Sequence, residues 1–122
     1  MELTPTYSGC PAIDAMRDDV TAALQAAGYA RVRVDLALSP AWTTDWMSED
    51  GKRKLRDYGI AAPNGSAPAH AAGGRTAIRM AVKCPRCDSL DTRELARFGS
   101  TSCKALYECR SCLEPFDFFK VH

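Results

Sequence analysis

Six cysteines stand in this chain of 122 residues, and four of them fall in two short pairs, Cys84-Pro-Arg-Cys87 and Cys109-Arg-Ser-Cys112. Each C-x₂-C turn can bring two thiolates to one side of a tight knuckle. Two knuckles complete a tetrahedron with metal–sulfur distances of about 2.3 Å. Four thiolates suit zinc, and iron fits the same tetrahedron. The pairs are separated by 21 residues, slightly more than the ~15–20 of the usual zinc spacing. A hairpin of adjustable length absorbs that excess. Two disulfides are the alternative, but paired C-x₂-C motifs in a chain whose first residues show no export signal point to a reducing cytoplasm.

Two cysteines remain. Cys103 lies six residues before Cys109 and completes no knuckle, so a packed, inert thiol is expected, ahead of a fifth ligand or a redox role. Cys10 sits in "YSGCPA", where a strand gives way to a helix. If that helix begins at Pro11, its first-turn N–H groups would stabilise a thiolate at Cys10. Such a thiol suits a nucleophile, a transient metal ligand or an acceptor of metal and sulfide. It equally suits a small residue that fits a turn.

The elements that position these groups follow from periodicity. "MELTPTY" reads as a short strand. Ile13, Met16, Val20, Ala23, Leu24 and Ala27 make one helical stripe that Gly28 stops. "ARVRVDLAL" alternates, with Val32, Val34, Leu36 and Leu38 on one expected buried face. Strand, helix and strand together predict a βαβ unit with parallel strands. Ser48 can cap a short helix ending near Gly59. Its cations Lys52, Arg53, Lys54 and Arg56 are interleaved with Glu49, Asp50 and Asp57, which favours a solvated face over a nucleic-acid site. Trp42 and Trp46 are expected to pack rather than stack on bases. "AAPNGSAPAHAAGG" reads as a linker with a solvated His70. Thr76, Ile78, Met80 and Val82 suggest a strand leading into the cysteine module, whose hairpin and "PFDFFKV" would complete a three-stranded antiparallel zinc ribbon.

The expected organisation is therefore α+β: an α/β domain over 1–60, a flexible linker over 61–76 and a ribbon over 77–122. The formal net charge is only +1. From Cys84 to His122, six cations meet six carboxylates before the thiolates are added. Nucleic acid is not an expected partner, and neither is a membrane, since no apolar run reaches the ~18 residues of a span.

"TPTYSGCPA" resembles the cysteine loop of the SufT-like, MIP18-type iron–sulfur cluster assembly family. "PAWTTDW…GKRKLRDYGI" followed by "CPRC…FGSTSCKALYECRSCLEPFDFFK" closely resembles one branch of it, the small accessory proteins encoded with the phenylacetyl-CoA epoxidase (ring-epoxidase, or oxygenase) complex. The resemblance covers nearly the whole chain outside the linker. It implies that residues 1–60 are the assembly-factor domain without its first helix, acidic loop and one strand. It implies that Cys10 is the functional thiol and that Cys84, Cys87, Cys109 and Cys112 are the zinc ligands. The implied role is maturation of the epoxidase system, with transient iron or an iron–sulfur cluster as cargo. The implied partners are epoxidase subunits or their iron–sulfur reductase, or a second copy of the chain. No acid/base constellation or di-iron carboxylate motif appears, so independent catalysis is not expected. The other classes are a non-catalytic structural component of the oxygenase and a rubredoxin-like electron carrier.

Overall fold

The computed structural model describes residues 1–64 and 81–122, which form two compact units, Met1–Trp42 and Thr43–His122. The expected strand residues Thr76, Ile78 and Met80, His70 and most of the expected linker lie outside the described residues. Among the described residues no helix is long and apolar enough to cross a membrane.

In the first unit, β1 (Glu2–Leu3) and β2 (Asp35–Leu36) pair in parallel, with Glu2 opposite Asp35 and Leu3 opposite Leu36. The helix α1 (Ile13–Ala26) lies between them in sequence. It ends where the residues dictate. Gly28 adopts φ +98°, its N–H bonds to the Gln25 carbonyl at 3.0 Å, and the Tyr29 N–H reaches the Leu24 carbonyl at 3.2 Å. These are the two bonds of a Schellman stop, which needs a residue tolerant of positive φ. The start differs from the expected one. The helix begins at Ile13 with Ala12 at its N-cap, and no side chain caps it.

Burial in this unit is sparse. α1 buries no residue, Met16 is 38% exposed, and of the expected face Val32, Val34, Leu36 and Leu38 only Val34 is buried. A two-residue parallel pair and one helix provide no second layer to close over an apolar face.

The second unit holds the main core. Its sheet has the order β3-β6-β5-β4, formed by β3 (Ile60–Ala61), β4 (Thr92–Ala96), β5 (Lys104–Cys109) and β6 (Pro115–Phe119). β4, β5 and β6 are antiparallel, as a ribbon requires. The expected three strands are joined by a fourth, because β3 pairs in parallel with β6 through Ile60–Asp117 and Ala61–Phe118. Residues 43–64 therefore belong with the ribbon, where the sequence suggests a boundary near residue 60. Two residues are too few to show strand alternation, and their pairing spans more than fifty positions.

Alternation along β5 and β6 buries Ala105, Tyr107, Cys109, Phe116 and Phe118, joined by Ala61, Val82 and Cys84. Val82 enters this core from an irregular segment. The Tyr107 ring stacks on Phe116 at 5.9 Å and meets Phe118 edge-on at 5.4 Å. The helix α2 (Glu49–Asp57) starts at Ser48, whose Oγ accepts the Gly51 N–H at 3.1 Å, and stops before Gly59 at φ +88°. Trp46, in a single 3₁₀ turn over Thr44–Trp46, is 53% exposed rather than packed.

Candidate metal centre

The two C-x₂-C segments fold into matching knuckles. In the first, the Cys84 N–H bonds to the Ser89 carbonyl at 2.9 Å and the Arg86 N–H points at Cys84 Sγ, 3.4 Å away. In the second, the Cys109 N–H bonds to the Glu114 carbonyl at 3.0 Å and the Cys112 N–H points at Cys109 Sγ, 3.5 Å away. The fourth residue after each leading cysteine is left-handed: Asp88 at φ 63° and Leu113 at φ 62°. That reversal lets each knuckle close on itself. Asp tolerates the conformation, whereas for Leu it costs roughly 1–2 kcal/mol.

The knuckles face each other. All four sulfurs lie within 4.8 Å of one another, with Cys84–Cys112 at 3.8 Å and Cys87–Cys109 at 3.5 Å. A tetrahedron with metal–sulfur bonds of about 2.3 Å has edges of about 3.8 Å. A disulfide needs about 2.05 Å, and all six cysteines are free thiols. The geometry fits a four-coordinate divalent ion with no open position. Each knuckle contributes one buried cysteine, Cys84 or Cys109, and one exposed cysteine, Cys87 or Cys112. The Ser89 and Ser111 hydroxyls bond to each other at 2.8 Å, and the Arg110 N–H bonds to the Asp91 carbonyl at 2.8 Å, tying the knuckles together.

Electrostatics without a metal are divided. The Cys109 thiol is lowered to about 6, first by the Cys112 N–H, which burial opposes, and further by the Ser111 N–H and neighbouring thiols. The Ser89 N–H favours the Cys87 thiolate, but the Cys109 thiol, burial and the remaining sulfurs outweigh it and push Cys87 up to about 12. Four adjacent sulfurs cannot all ionise alone. A divalent ion removes that conflict and displaces the protons.

A clasp that the sequence did not announce holds the first knuckle. Arg56 of α2 pairs with Asp88, and Lys83 reaches the same carboxylate at 3.4 Å. The signal was present only as a charged residue at a turn, which sequence alone reads as solvated.

The other two cysteines are not members of the four-sulfur group. Cys103 is half-buried, with Sγ 3.0 Å from Thr101 Oγ1 and its carbonyl accepting the Lys120 N–H. Cys10 is half-buried at the junction of two turns: its N–H bonds to the Tyr7 carbonyl, and its carbonyl accepts the Ile13 N–H, both at 3.3 Å. It lies two residues ahead of the helix N-cap, so the expected placement of its thiol at the helix start does not hold. Ala12 completes an extra turn first.

Comparison with known proteins matches the chain to a family. The PaaD zinc beta ribbon domain family matches residues 68–120. The PaaD protein of Escherichia coli (strain K12), a component of 1,2-phenylacetyl-CoA epoxidase by its name, is 50% identical over 118 residues, covering 96% of this chain and 67% of the relative. No solved structure matches.

Proposed function

The chain belongs to the PaaD family of 1,2-phenylacetyl-CoA epoxidase components, and from that premise we propose that it is an accessory factor which matures the phenylacetyl-CoA epoxidase of phenylacetate degradation. The observation that carries this reading is the closed four-sulfur shell. A tetrahedral Cys₄ site that spends every coordination position on protein ligands is structural, not catalytic. Among the described residues it is the one group of three or more side chains placed to ligate a metal. Zn²⁺ held by Cys84, Cys87, Cys109 and Cys112 would fix the ribbon as a rigid docking module for epoxidase subunits or their iron–sulfur reductase.

The transfer of iron or of an iron–sulfur cluster then falls to the first unit, read as an MIP18-type domain, and to Cys10. A half-buried free thiol between two turns is reachable by cargo without being a core residue. Thiolate ligation there would be transient, since a single sulfur cannot complete a coordination shell. The resemblance of "YSGCPA" to the cysteine loop of the MIP18-type family supports this assignment.

The test is metal analysis of the epoxidase and its reductase produced with the wild-type protein, without it, and with Cys10→Ser. Iron content should fall without the protein and with Cys10→Ser, while the variant keeps its own zinc and circular dichroism. Normal iron in the client without the protein would refute the maturation role. A client matured normally by Cys10→Ser would reduce Cys10 to a turn residue.

A further inference from the structure

One face of α2 looks into a cavity that Cys84 of the metal centre borders. Glu49, Lys52, Arg53 and Arg56 recur at helical spacing along one wall, and Lys83, Pro85 and Asp88 of the first knuckle form the other. Ala61 and Ala62 supply apolar surface between them. The volume is about 360 Å³, within the range of small-molecule sites, ~300–1,000 Å³.

Among the described residues, four cations and two carboxylates line this space, an excess of two positive charges. The carboxylates are already engaged: Glu49 takes the Lys52 ammonium at 2.8 Å, and Asp88 takes Arg56 and Lys83. A loaded Cys₄ centre carries a net charge of −2, and Cys84 borders the cavity. That charge offsets the cation excess over the cavity as a whole, so an oxyanion is repelled from the knuckle end and held locally at the α2 wall, by Lys52 and Arg53. Arg53 is 68% exposed and paired with Asp50 one turn away, an exposed pair whose guanidinium can turn to a ligand at little cost. Guanidinium and ammonium groups lining one wall suit phosphate oxygens.

We infer that this cavity binds a phosphorylated small molecule of nucleotide size, with its phosphate on Lys52 and Arg53 and its apolar ring against Ala61, Ala62 and Pro85. The adenosine 3′,5′-diphosphate end of a coenzyme A thioester has this chemistry. That choice of molecule rests on the proposed place of the chain in phenylacetyl-CoA metabolism, but not on iron transfer.

The test uses the full, zinc-loaded, reduced chain. Calorimetric titration with coenzyme A, adenosine 3′,5′-diphosphate and inorganic phosphate should show saturable binding of the first two with Kd below ~1 mM, and of phosphate at least ~10-fold weaker. Lys52→Ala and Arg53→Ala should each weaken binding severalfold with zinc content unchanged, and Arg97→Ala, outside the cavity, should not. Amide shifts on titration should cluster on α2 and the first knuckle, a readout that needs no variant. Absence of saturable binding, equal affinity for bare phosphate, or shifts elsewhere would overturn the inference. Client iron content is measured separately, so loss of either reading leaves the other standing.

Discussion

Replacing the two ligands of the second knuckle, one at a time, separates metal binding from core packing. Structural zinc contributes an apparent ~10–16 kcal/mol to the folding of small Cys-rich modules. One thiolate of four is then worth about 2.5–4 kcal/mol, and serine replaces it poorly. Cys112→Ser should weaken zinc by ~10²–10³-fold at about 1.4 kcal/mol per decade. Cys112 is exposed, so its hydroxyl can turn to water. Cys109 is fully buried among Tyr107, Phe116 and Ala105, and its sulfur receives the Cys112 N–H. Cys109→Ser therefore adds an inadequately satisfied buried hydroxyl, about 1–3 kcal/mol more. Its zinc affinity should fall by a further ~10–100-fold. The assay is zinc competition against a chromophoric chelator under reducing conditions, with near-ultraviolet dichroism of Tyr107 reporting the core. Equal affinities for the two variants would refute the buried–exposed distinction. Wild-type affinity in both would refute the metal site.

Three further outcomes are expected. A methyl group at Gly99 would stand 2.7 Å from Asp117 Oδ1, and that carboxylate is held by Lys104 Nζ at 3.0 Å and Ser100 Oγ at 3.3 Å. Gly99→Ala should therefore cost about 1–3 kcal/mol in a denaturant titration, and an unchanged midpoint would show that the loop yields freely. Leu113→Gly relieves a left-handed residue that is 72% exposed, and should raise stability by up to about 1 kcal/mol, measured by thermal unfolding of the zinc-loaded protein. Acid should release the metal. Cys109 is lowered from the ordinary thiol value near 9 to about 6, so the stability its thiolate supports is full above about 9, declines below it and is lost as pH falls through about 6. Metal binding holds the proton off further, so chelator-detected release should have a midpoint below about 6, and a midpoint above about 7 would contradict the assigned ligands.

The metal centre was legible before any fold was known, because its determinants are local. C-x₂-C spacing is a property of four consecutive residues, each knuckle closes within six, and the segment between the knuckles has the length of a hairpin. Ser48 and Gly59 likewise bounded α2, because a cap and a positive-φ stop are set by adjacent residues. Features that depend on distant partners emerged only once the chain was folded. Ile60–Ala61 becomes a strand only because β6 offers an edge, and Asp88 becomes a clasp only because α2 brings Arg56 to it. The apolar stripe of α1 was legible, but its burial was not, since burial requires a second layer that two residues of β1 and two of β2 do not build. Cys10 lies between these cases: its turn was readable from Gly9 and Pro11, whereas its distance from the helix start was set by one more turn through Ala12, which no residue preference announces.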